Sequence, residues 1–83
     1  MPSYFEIHGY RVYIYRNDHR PAHIHVRGPD GTVVFILNCK TSGPLEGRER
    51  WGIADDMVRK LARAITPEIK RLCAAWRKDN GYY

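Results

Sequence analysis

Apolar and polar residues alternate with a period of two through the first half of the chain, and the spacing becomes helical from Ile53 onward. Turn signals at His8-Gly9, Asn17-Asp18-His19-Arg20-Pro21 and Gly28-Pro29-Asp30-Gly31 separate runs rich in β-branched and aromatic residues. This pattern predicts four strands, near residues 4–7, 10–16, 23–27 and 32–37, joined as an antiparallel meander by two tight hairpins and one longer loop. Residues 38–50 contain Thr41-Ser42-Gly43-Pro44 and Gly47 and have no periodicity, which predicts a surface loop or a mobile lid. Beyond them, Ile53, Met57, Val58, Leu61 and Ile65 form one apolar stripe, and Ile69, Leu72, Cys73 and Trp76 a second. Two C-terminal helices follow, near 55–65 and 67–78. Asp55-Asp56 suits the start of the first, Thr66 is the expected N-cap of the second with Pro67 at its first position, and Gly81 falls just past its end. The expected fold class is α+β: a four-stranded antiparallel meander with both helices packed on one face.

A length of 83 residues holds one domain, expected to span 1–83, and 43% hydrophobic with 28% charged residues suits a packed chain better than a disordered one. The longest apolar run, Val33 to Leu37, falls far short of the roughly 20 residues of a membrane-crossing helix, so no membrane partner is expected. The first residues lack the basic flank and apolar stretch of an export signal, which sets the expected location in the cytoplasm. Cys39 and Cys73 can pair only with each other and show no C-x-x-C spacing; in that compartment they are expected as two reduced thiols. A net charge of +5 favours an acidic partner, although ordinary solvated proteins also reach it.

Strand alternation sorts side chains into two faces. Val12, Ile14, Ile24 and Val26 share one face, which the helices should cover. Arg11, Tyr13 and Tyr15 of the second strand and His23, His25 and Arg27 of the third share the other. That second set combines cations for phosphates with rings for stacking, so Arg11, Tyr13, Tyr15, Arg20 and Arg27 are the candidate RNA-binding residues. The bland account carries equal weight: an exposed sheet face must carry something polar, and Tyr and Arg suit strands. The apolar residues on both faces of the fourth strand suggest that the 38–50 loop covers part of this face and makes it a cleft.

Three of the four histidines fall within Asp18-His19-Arg20-Pro21-Ala22-His23-Ile24-His25-Val26. His23 and His25 point the same way, and Pro21 stiffens a loop that could bring His19 and Asp18 towards them. Three accounts stand side by side. His19, His23 and His25, with Asp18, could act as general acid and base in metal-free RNA cleavage, with Arg27 or Arg20 stabilising the developing charge. His23 and His25, with His19 or Asp18, could hold a divalent metal. Or Asp18 and His19 cap a loop while the strand histidines are half-buried hydrogen-bonding residues, the likeliest account of any single one of them. Neither a phosphate-cradling glycine loop nor a Ser or Cys triad spacing occurs, so no cofactor is called for. Trp76 is expected in the core.

The string Tyr15-Arg16-Asn17-Asp18-His19-Arg20-Pro21-Ala22-His23-Ile24-His25-Val26 resembles the signature of a widespread bacterial family catalogued only as a domain of unknown function. The likeness continues through the strand after Pro29-Asp30-Gly31, the Trp51-Gly52-Ile53 segment and the closing Leu72-x-x-x-Trp76 helix. Ala22 and Ile24 stand where that family usually has Pro and Phe. Its members are often encoded beside another small protein, which implies a toxin–antitoxin-like pair; many toxins of this size are ribonucleases that use His, Arg and Tyr on a small sheet. The expected function is RNA binding through the Arg/Tyr/His face, extending to metal-independent endoribonuclease activity. The alternatives are a non-enzymatic module that docks a cognate small protein encoded nearby, and a metal-binding protein. Homodimer formation through unpaired sheet edges is a further expectation.

Overall fold

A computed structural model describes residues 4–16 and 19–81. Five strands, not four, form one antiparallel sheet in chain order: β1 (Phe5–Ile7), β2 (Tyr10–Tyr13), β3 (His23–Arg27), β4 (Thr32–Ile36) and β5 (Glu46–Trp51). The chain is an α+β fold, as expected, but the strand count and the helical layout both differ from the expectation. His8 and Gly9 both take positive φ, 51° and 81°, which matches the right-handed twist of a two-residue hairpin between β1 and β2. The turn between β3 and β4 closes with the Gly28 N–H donating to the Gly31 carbonyl at 2.9 Å.

The fifth strand replaces the C-terminal part of the expected loop over 38–50. All six of its residues, Glu-Gly-Arg-Glu-Arg-Trp, are exposed. An edge strand with no buried side shows no alternation of hydrophobicity, and backbone pairing to β4 places it. A bulge opposite Val34 and Phe35 shifts its register. Residues 38–45 form a self-bonded turn rather than a lid. The Asn38 carbonyl accepts from the N–H groups of Thr41 and Gly43, and Asn38 Nδ2 donates to the Pro44 carbonyl at 2.7 Å. The second strand also ends at Tyr13, short of the expected Arg16.

In place of two separate helices, one helical arm runs from Asp55 to Asn80. It comprises α1 (Asp55–Ile65), a single 3-10 turn (Thr66–Glu68) and α2 (Ile69–Asn80). Pro67 removes an N–H but its φ is compatible with the helix, so Ile65, Thr66 and Ile69 stay in the right-handed helical region and the chain tightens without breaking. Thr66 is not an N-cap; its N–H and its Oγ1 both donate to the Ala62 carbonyl, continuing the preceding turn. Asp55 and Asp56 occupy the first turn, where the helix dipole favours negative charge.

The arm lies on the aliphatic face. Val12, Ile24, Val26, Val33, Phe35 and Leu37 from the sheet region form one buried cluster with Leu61, Ile65, Ile69, Leu72 and Trp76. Trp76 is fully buried, as expected for a core residue. Cys39 and Cys73 are joined as a disulfide with Cα atoms 5.8 Å apart, which overturns the expectation of two free thiols. Their proximity comes from docking of the turn after β4 onto α2, a contact across 34 positions that local spacing cannot announce. The thiol argument for a reducing compartment is thereby lost. No helix among the described residues is long and apolar enough to cross a membrane.

Candidate nucleic-acid interface

Pairing partners in an antiparallel sheet share a face, so the register assembles the face opposite Val12 and Val26 row by row; it is open along the first row and closed in part further on, where Val34 and His23 are buried. The first row reads Glu6, Arg11, Arg27, Thr32 and Trp51 across all five strands. The second reads Tyr13, His25, Val34 and Glu49, and the third continues from His23 through Ile36 to Glu46. Tyr15 lies two residues beyond Tyr13, past the paired part of β2.

The rings form a connected series. Tyr13 and Tyr15 are parallel within 3° with centroids 6.0 Å apart, and Tyr15 meets His25 edge-on at 4.6 Å. His25 and His23 follow at 5.1 Å, and His19 lies 5.8 Å from His23. Arg27 binds the tyrosine end twice: its Nη1 donates to the Tyr15 hydroxyl at 3.3 Å and its guanidinium stands 6.0 Å from the Tyr13 ring. Tyr13 and Tyr15 are half-buried, while Arg27 is exposed. Stacking surface and positive charge are therefore adjacent.

Arg11 is exposed beside this group. Its guanidinium is stabilised by hydrogen bonding with Tyr13 first and with Glu6 second, which pushes its pKa up and keeps it charged. The Arg11–Glu6 ion pair, at 2.9 Å, is 61% exposed on both sides, so water screens it and a phosphate can compete for the arginine.

The histidines divide by depth. His23 is only 3% exposed and its ring lies 4.9 Å from the core Trp76. Its Nδ1 is 2.8 Å from the Pro21 carbonyl; a carbonyl can only accept, so Nδ1 carries the proton and the ring is fixed against the loop before β3. His25 is half-buried and His19 exposed. Of the proposed catalytic set the structure brings His19, His23 and His25 into one chain of neighbouring rings, while Asp18 lies outside the described residues. Arg20 sits in the exposed loop next to His19, off the strand rows. Among the described residues, no three His, Cys, Asp or Glu side chains gather as a metal-ligand group. The turn over 38–45 meets the third row at Ile36. There it borders a recess of about 250 Å³ lined by Pro21, Ala22, Ile36 and Cys39.

The sequence reading omitted Trp51 from this face. Its indole is 58% exposed and shares a row with Arg11 and Arg27. The signal was an aromatic residue in a polar stretch, but without β5 its face could not be assigned.

The family model described as Domain of unknown function (DUF4160) matches residues 9–77. No curated protein and no solved structure matches the chain.

Proposed function

The chain belongs to the family described as Domain of unknown function (DUF4160), and we propose that its uncovered sheet face binds single-stranded RNA. The observation that carries this reading is the parallel Tyr13–Tyr15 pair with Arg27 bonded to it, on the face opposite the helical arm. Single strands are bound by rings on which bases stack, together with cations that follow the phosphates. The net charge of +5 supports an anionic partner. The toxin–antitoxin-like setting implied by the sequence resemblance belongs to the same proposal, with RNA as the target of the face.

Binding is the part of the expected activity best supported by the geometry. An acid–base residue has to reach a ribose hydroxyl. His23 is buried with its Nδ1–H given to Pro21, which makes it a positioning residue for the loop that carries His19. Proton transfer falls to the exposed His19, since the Nε2 of His25 is buried as well.

The test is fluorescence anisotropy with a labelled ten-nucleotide uridine RNA at several salt concentrations, with the same mixtures run on a gel to report cleavage. Tyr13→Ala is expected to weaken binding by about 1–3 kcal/mol with the salt dependence unchanged. Arg27→Ala is expected to weaken it and to flatten the logarithmic salt slope by about 0.7, the value of one phosphate contact on a single strand. Wild-type affinity in both variants refutes the proposal.

A further inference from the structure

The uncovered face holds one large aromatic that the tyrosine-centred reading leaves unused. Trp51 ends β5, is 58% exposed, and is one of only two large hydrophobic side chains of the described residues left in solvent. Its place is set by structure at its back. A Cβ on Gly31 would collide with the Trp51 carbonyl oxygen, so the turn before β4 is pressed against this part of the backbone. Thr32 is its direct cross-strand partner, and Arg27 and Arg11 follow in the same row.

Resting on the RNA-binding reading above, we infer that Trp51 is a second base-stacking platform and that the bound strand runs across the sheet, from the Tyr13–Tyr15 pair over Arg27 and Thr32 to the indole. Three strand spacings of about 4.8 Å and one two-residue offset of about 7 Å separate Tyr13 from Trp51 by roughly 16 Å. A mononucleotide cannot touch both platforms, whereas an oligonucleotide can.

Charge selects this path over its neighbours. The second and third rows end on β5 in Glu49 and Glu46, which repel phosphates. Arg50 is turned to the other face, opposite Val33, and is ion-paired with Asp55. The row through Arg11 and Arg27 ends at Trp51 and begins at Glu6, whose charge Arg11 meets, and the Tyr13–Tyr15 pair stands beside Arg27 in the next row; rings on both sides of the cations are why a polyanion with stackable bases fits this face better than a protein does.

Intrinsic fluorescence tests the inference directly, because the other tryptophan, Trp76, is fully buried. Addition of the ten-nucleotide uridine RNA to the wild-type protein is expected to quench tryptophan emission. In Trp51→Phe the remaining emission should not respond, while affinity stays within about threefold because a stacking ring is retained. Trp51→Ala is expected to bind roughly 5- to 150-fold more weakly, the range for loss of one stacked base. Circular dichroism should show it folded, since the side chain it loses is exposed. Wild-type affinity in Trp51→Ala, alongside weakened binding in Tyr13→Ala, overturns the second platform and leaves the RNA reading standing. Failure of the wild-type protein to bind this RNA overturns both and gives the face to a protein partner.

Discussion

Breaking the Cys39–Cys73 bond should reduce stability more than any other single change that leaves the core side chains in place. The bond closes a loop of 34 positions between the turn after β4 and the middle of α2. Loop-closure entropy for that length, about 2.1 plus 1.5R ln 34 cal/mol/K, amounts to about 4 kcal/mol at 25 °C. Loss of packing adds little, because a reduced cysteine fills nearly the same volume as a small apolar residue. For a domain of this size each kcal/mol moves the melting temperature by about 4–8 °C, so reduction should lower Tm by roughly 15–30 °C. The assay is thermal unfolding by circular dichroism, oxidised against reduced, with Cys39→Ser as a variant that cannot form the bond. Thiol titration of the unfolded oxidised protein should find no free thiol. Cys39→Ser should melt with the reduced wild type and should not respond to reductant. A difference between oxidised and reduced protein below about 1 kcal/mol would refute the reasoning, because it would mean that the docked turn is already held by its other contacts.

Two further changes probe the framework beneath the face. Gly31→Ala drives a methyl into the Trp51 carbonyl oxygen, and backbone cannot yield as a flexible side chain can; a loss of about 1–3 kcal/mol in chemical denaturation is expected, against no change if β5 is loosely held. Tyr10 is buried and its hydroxyl donates to Asp30 Oδ2 at 3.1 Å; burial first, then the bond and charge of Asp30, push its pKa above the ordinary value of about 10. The unfolded phenol therefore ionises before the folded one, so this contribution is whole below pH 10 and is lost as pH rises through the folded value. Tyr10→Phe should cost about 0.5–1.5 kcal/mol at neutral pH and show a shallower alkaline decline than wild type, with parallel declines counting against the assignment.

Much of the face was legible because strand parity is local. The separation of Val12 and Val26 from Tyr13 and His25 needs only alternation along two strands, and the register pairs these residues accordingly. What stayed hidden depends on contacts distant in sequence. The Glu46–Trp51 strand has no buried side, so periodicity had nothing to register, and Trp51 was left without a face. Thr66-Pro67 carries the ordinary signals of a helix start, yet the preceding turn captures Thr66 and the arm runs on. The depth of His23 follows from Trp76, fifty-three positions away, and the pairing of the cysteines from the docking of a turn on α2.

The strictly sequential strand order has a consequence for how the molecule is made. Each strand pairs only with its chain neighbours, so the sheet can assemble progressively from its N-terminal edge without waiting for distant segments. All five strands are complete at Trp51, before the arm begins at Asp55. During synthesis the aliphatic side of the sheet is therefore bare until the arm emerges to cover it. Two ties then seal the closure, Cys39 to Cys73 and the Asn80 amide to the Tyr15 carbonyl, and both draw on the last helical segment. The interval between a finished sheet and a docked arm is when a nascent chain is most exposed to aggregation and to capture by chaperones.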